Sequence, residues 1–142
     1  MHRLCNVLMT GFALMLALVM AVNARAQEPG GSATARAVEN PVPSTEASVT
    51  AGAASFKKYC AFCHGAAGKG DGAFVPKGMS KPADLTDATW VRGETDGEIF
   101  AVIMAGAGPK FEMKGYKGKI PEKDVWHIVN YLRSLAPEKA AR

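Results

Sequence analysis

Cys60, Cys63 and His64 stand in the run Cys60-Ala61-Phe62-Cys63-His64, two thiols three positions apart followed at once by an imidazole. That spacing meets the demands of covalent haem attachment. The two cysteines add across the two vinyl groups of one porphyrin, one helical turn sets both thioethers on the same edge, and the adjacent histidine lies under the iron. A bare Cys-x-x-Cys also serves as a redox dithiol or as half of a zinc site. A thioredoxin-like dithiol expects a buried strand before it, whereas Ala51 to Tyr59 read as helix. Outside the N-terminal apolar segment the only thiol and imidazole ligands for zinc are Cys60, Cys63, His64 and His127. The neighbours Cys63 and His64 reach two corners of one tetrahedron only with difficulty.

The compartment supports the same chemistry. Arg3 precedes an apolar run from Val7 to Val22, and Ala24-Arg25-Ala26 follows. Residues 1–26 read as a secretory signal with an A-x-A cleavage site, giving a mature start near Gln27 and discarding Cys5. The run, about sixteen residues long, falls short of the ~20 that span a bilayer, so no membrane span is expected in the mature form. The protein is expected to be periplasmic or otherwise exported.

Residues 27–50 are rich in Ala, Ser, Thr, Pro and Gly, with Pro29, Pro41 and Pro43 and almost no large apolar side chain. They read as a flexible linker. Residues 51–142 hold one domain, without internal repeat and with a single haem motif. So short a chain has a thin core, and an enclosed porphyrin would supply the missing apolar surface. The apo-form is therefore expected to be largely unfolded.

Three helices are expected to build the domain. The first runs from about Ala51 to Cys60, with Gly52 and Phe56 four apart and Tyr59 near the same stripe, a small residue and an aromatic forming a contact notch. The second opens on Thr95-Asp96-Gly97-Glu98, a capping box, and continues Ile99, Phe100, Val102, Ile103, Met104, apolar nearly all round. The third starts near Pro121, carries Glu122 and Asp124 at its positive end, and stops before Pro137. Its apolar stripe is Val125, Ile128, Leu132 and Leu135, and His127 groups with Lys123, Asn130 and Ser134 on the polar face, expected to be solvated.

With these elements in place the chain resembles the class I c-type cytochromes, small bacterial monohaem members in particular. The resemblance rests on the Cys60-to-His64 motif, on Gly52 and Phe56 with the aromatic four residues before the first cysteine, and on the loop sequences Gly68-Lys69-Gly70-Asp71-Gly72 and Pro82-Ala83-Asp84-Leu85. It implies an all-α wrap of about three main helices and long loops around one covalently attached haem c. It also implies that the Gly52 notch packs crosswise on the last helix, where Ile128, Tyr131 and Leu132 are available, and that attachment takes place outside the cytoplasm.

The sixth iron ligand separates an electron carrier from a haem protein open to small molecules. Met79 lies only fifteen residues past His64, and Met104 sits inside an apolar helix as packing. Met113 occupies the Gly- and Lys-rich loop where the resemblance places the axial methionine, and its soft thioether suits iron. The sequence after it, Lys114-Gly115-Tyr116, departs from the proline that many relatives carry there. His127 is a poor ligand candidate, since its helix would have to turn a polar face inward. Trp90 and Trp126 are assigned to packing.

Of 17 basic residues, Arg3 and Arg25 leave with the signal, so 15 face 13 acidic ones, a formal +2. Lys110, Lys114, Lys117 and Lys119 crowd the methionine loop, and Lys69, Lys77 and Lys81 the other long loop. Such runs often only solubilise, but around an exposed haem edge they would steer docking onto an acidic redox partner. Nucleic acid is not expected as a partner. No acid-base pair, nucleophile or oxyanion site appears, so the protein is not expected to be an enzyme in its own right. The expected function is a one-electron carrier between redox partners. The alternatives are a cytochrome subunit of a larger dehydrogenase, reductase or oxidase, or a ligand-binding or sensor haem protein with an open sixth position.

Overall fold

The computed structural model describes residues 32–74, 80–87, 90, 92–108 and 113–136. The chain runs α1 (Ala33–Arg36), α2 (Glu46–Tyr59), α3 (Ala61–His64), α4 (Asp96–Ala105), β1 (Gly106–Ala107), β2 (Met113–Lys114) and α5 (Glu122–Leu135). This is the expected all-α fold, with one addition: β1 and β2 pair antiparallel, Ala107 opposite Met113 and Gly106 opposite Lys114. The expected signal segment, its cleavage site and Cys5, together with Met79, Lys77 and Lys110, lie outside the described residues. No helix among the described residues is long and apolar enough to cross a membrane.

The principal packing is α2 on α5. A Cβ added at Gly52 would stand 2.0 Å from the His127 carbonyl oxygen and 2.8 Å from the Tyr131 Cβ, so the two backbones touch there and only glycine fits. Phe56 fills the next turn, its ring 5.2 Å from that of Tyr131 at a tilt of 53°. Around this crossing Phe56, Val125, Ile128, Val129 and Leu132 are buried with Ile99 and Ile103 of α4. The notch expected from Gly52 and Phe56 is therefore present, with Tyr131 as its main aromatic partner.

The α4 capping box forms as its sequence requires: the Glu98 amide donates to Thr95 Oγ, and Glu98 Oε2 accepts from the Thr95 amide at 3.0 Å. The helix is less enclosed than its composition promised. Ile99 and Ile103 are buried, while Val102 and Met104 are half-buried, and Phe100 stacks on Trp126 with ring centres 4.0 Å apart. The third expected helix holds its bounds, with Pro121 before its first turn and Leu135 as its last residue.

Two regions depart from expectation, the segment up to α2 and the polar face of α5. The first helix begins at Glu46 rather than Ala51, because Thr45 Oγ accepts from the Ser48 amide at 3.2 Å and caps it there. From residue 32 onward, the segment expected as a flexible linker is laid against the domain. Arg36 donates to the buried Glu98 carboxylate from Nε at 3.0 Å and Nη2 at 2.9 Å. Asn40 Nδ2 donates to Asn130 Oδ1 at 2.9 Å, and the strap backbone at Ala35 and Val38 rides directly on Gly97. Val42 packs on the buried cluster, but polar contacts make the rest of the hold, and a composition poor in apolar side chains gave no sign of it.

The second correction concerns the polar face of α5. Asn130 is only 3% exposed. Its amide nitrogen donates to Ser48 Oγ at 2.8 Å and to the Val42 and Pro43 carbonyls, and Ser48 Oγ bonds His127 Nδ1 at 2.8 Å. The part of that face at His127 and Asn130 is covered by the strap and the start of α2, while Lys123 and Ser134 are exposed as expected.

Candidate functional site

Cys60 sits where α2 ends and α3 begins. Its amide closes the last turn of α2 on the Phe56 carbonyl at 2.8 Å, and its own carbonyl accepts from Cys63 at 3.1 Å and His64 at 2.9 Å. Both thiols and the imidazole thus lie on a single turn, as the spacing requires. Cys60 is 8% exposed, and Cys63 and His64 are half-buried.

Gly65 ends that turn in the left-handed region, φ +79°, which a glycine adopts without strain. The chain then folds back beneath it: the Gly70 amide donates to the His64 carbonyl at 2.8 Å and the Gly72 amide to that of Cys63 at 3.2 Å. Gly70 also abuts the Pro82 carbonyl, which a Cβ would approach to 2.2 Å. Leu85 completes the layer through its amide bond to the Gly68 carbonyl at 2.7 Å. This stack carries the Ala83 carbonyl oxygen to 3.3 Å from His64 Nδ1.

A carbonyl oxygen only accepts, so Nδ1 carries the proton and Nε2 keeps its lone pair. Burial pushes the His64 pKa below the ordinary histidine value, with the Ala83 bond acting in the opposite direction. The imidazole is neutral and oriented, the form that coordinates a metal. The Cys60 thiol is pushed up to about 12, first by burial and then by the neighbouring Cys63. A working redox dithiol needs the reverse, a lowered thiolate pKa. No group of three His, Cys, Asp or Glu side chains among the described residues could hold a metal ion.

Met113 faces inward from β2, half-buried and packed against the buried cluster, while its neighbour Lys114 is exposed. The strand pairing and two further bonds, Tyr116 amide to Ile103 carbonyl at 3.0 Å and Lys117 amide to Met104 carbonyl at 3.1 Å, lay this segment along the end of α4. Tyr116 Oη donates to the Tyr59 carbonyl at 2.7 Å, tying the same segment to the residue before Cys60. Burial, and after it the nearby Cys60 and Cys63, push the Tyr116 pKa up. Met104 packs half-buried on α4. His127 is engaged with Ser48, at the opposite end of α2 from Cys60.

Ala83 and Tyr116 had no assigned role in the sequence. Ala83 acts through its backbone, which no side-chain pattern reveals. Tyr116 carried a readable signal, a hydroxyl-bearing aromatic three residues past the methionine. Of the lysines, Lys69, Lys81, Lys114, Lys117 and Lys119 are exposed. Phe62, inside the Cys-x-x-Cys, is 64% exposed and stacks on Phe74, ring centres 5.1 Å apart.

Over residues 47–132 the sequence matches the family described as cytochrome C oxidase, cbb3-type, subunit III. Among solved structures the fold is similar to a chain of the reducing HAO-like protein complex from Kuenenia stuttgartiensis, with a TM-score of 0.60 and 24% identity, over 78% of this chain and 52% of that one. The chain thus spans about half the length of that neighbour. No curated protein matches.

Proposed function

The chain belongs to the cbb3-type cytochrome c oxidase subunit III family and is a c-type cytochrome, and from that premise we propose that it carries a single haem c and passes electrons singly between redox partners. Cys60 and Cys63 are the thioether anchors, His64 the proximal iron ligand and Met113 the distal one. The haem supplies an iron that cycles between ferric and ferrous states. The observation that carries the reading is the His64–Ala83 bond, which leaves Nε2 unprotonated on the same turn as both thiols.

The residues themselves do four things in this reading. Cys60 and Cys63 keep the cofactor from leaving, and Ala83 fixes the ring plane and tautomer of His64. Met113 offers a neutral, soft donor that favours the reduced state. The helices and the buried cluster beside Met113 exclude water, so little rearranges when an electron moves. Membership of a family named for an oxidase subunit favours a second reading, in which the chain works within a larger complex. The exposed lysines of the two long loops suit an acidic partner surface in either case. Residues 1–26 as an export signal fit a periplasmic location, where residues 51–142 form the cytochrome domain.

The test is the visible spectrum of protein exported with the haem-attachment machinery, oxidised and reduced, with and without carbon monoxide. A c-type spectrum unmoved by carbon monoxide is expected. A spectrum that shifts with the gas would replace the carrier by a ligand-binding or sensor protein. Recovery from native periplasm as a free monomer, against recovery bound to other subunits, separates carrier from complex subunit.

A further inference from the structure

Lys114 and Gly115 follow Met113, and neither stiffens a chain; Gly115 is moreover the residue type with most freedom to lose. Yet this segment must present one thioether in one place. Its backbone bonds to Ala107, Ile103 and Met104 all reach back to α4 and β1, on its own side of the fold. Among the described residues, one side-chain hydrogen bond from this segment crosses to the other side. Tyr116 Oη donates to the Tyr59 carbonyl at 2.7 Å, one of the carbonyls left without a helical partner at the end of α2. The ring stands edge-on to that of Tyr59, centres 6.2 Å apart. Tyr59 directly precedes Cys60, so the bond joins the methionine segment to the turn that bears both thiols and His64.

We propose that Tyr116 is a positioning residue for the distal ligand: its hydroxyl, held by the Tyr59 carbonyl, fixes the distance between the Met113 segment and the Cys60–His64 turn. The inference rests on the reading of Met113 as the second axial ligand. Without the hydroxyl the segment stays attached to α4 but is free to move relative to the haem-bearing turn, and Met113 yields more easily to a competing ligand.

The experiment is an imidazole titration of the ferric holo-protein, followed in the visible spectrum, for wild type, Tyr116→Phe, Met113→Ala and Val129→Ala. Tyr116→Phe keeps the ring and removes the bond. It is expected to tighten apparent imidazole binding by about three- to tenfold, the range that loss of one such hydrogen bond yields. Val129→Ala removes core packing on α5 and serves as the control for general softening. It is expected to lower the melting temperature while leaving imidazole binding where it is in wild type. Equal binding by wild type and Tyr116→Phe, or an equal gain in Val129→Ala, overturns the positioning role. A Met113→Ala spectrum identical to wild type overturns the Met113 reading, and the proposal with it.

Discussion

His64 and Ala83, nineteen positions apart, are joined by a hydrogen bond of 3.3 Å from the imidazole Nδ1 to the backbone carbonyl. Because the acceptor is main chain, no substitution at Ala83 deletes it; only the loop beneath can be moved. Gly70→Ala does so, since φ is +68° and the new methyl would lie 2.2 Å from the Pro82 carbonyl oxygen. Displacing Pro82–Ala83 weakens the bond and makes the imidazole a poorer donor to ferric iron. The expected outcome is a reduction potential raised by roughly 20–60 mV, from about 0.5–1.4 kcal/mol at 59 mV per tenfold change. Voltammetry of the holo-protein checks it.

Gly52→Ala is expected to destabilise by about 1–3 kcal/mol, toward the upper end, because the clash is with the His127 backbone and no rotamer relieves it. Urea unfolding of the holo-protein followed by circular dichroism measures the change. A loss below a few tenths of a kcal/mol would mean that the α2–α5 crossing is looser than described.

Glu98 gives acid sensitivity. Burial raises its pKa, but the Thr95 and Glu94 amides, the Arg36 guanidinium and the Thr95 hydroxyl together outweigh burial and hold the carboxyl below the ordinary glutamate value. A carboxyl lowered in the folded state stabilises fully above its unfolded pKa and loses that contribution as pH falls through the folded one. Glu98→Gln should therefore cost about 1–3 kcal/mol at pH 7, with wild type and variant converging as pH falls below the ordinary glutamate range. Parallel curves across that range would exclude the linkage.

Asn130→Ala removes the donor to Ser48 and to the Val42 and Pro43 carbonyls, and the acceptor of Asn40. Leaving these groups unpaired is expected to cost about 2 kcal/mol and to free the strap first. Hydrogen exchange at residues 40–45 should accelerate more than exchange in α4. Uniform acceleration would show that the strap has no separate hold.

Exposed Lys114, Lys117 and Lys119 are predicted to set the rate of association with an acidic partner. Replacing all three by glutamate should slow the electron-transfer reaction by about tenfold or more at low salt, with the difference shrinking as ionic strength rises. A rate indifferent to both changes would leave these side chains as solubilising charge.

The Cys60–His64 turn, the Gly52–Phe56 notch, the Thr95 capping box and the Pro121 helix start were legible because each is written in side chains at fixed spacing. The strap was not. Its polar hold on the domain is made by Arg36 on Glu98 and by Asn40 and the Val42 and Pro43 carbonyls on Asn130, and pairing between polar groups distant in sequence leaves no periodicity. The same gap hid the inward face of α5: a wheel counts His127 and Asn130 as polar and cannot see that polar partners cover them. The role of Ala83 was invisible for another reason, since every residue but proline offers the same backbone groups and only the folded loop decides which carbonyl is used.

The crossing of α2 on α5 joins elements far apart in the sequence, and α5 follows every other described element. Until it emerges, Gly52 and Phe56 lack the His127 backbone and the Tyr131 ring they pack on, and the buried cluster lacks Val125, Ile128, Val129 and Leu132. Cys60, 8% exposed in the folded molecule, belongs to that same cluster, and its sulfur is more open to bond formation before α5 joins it.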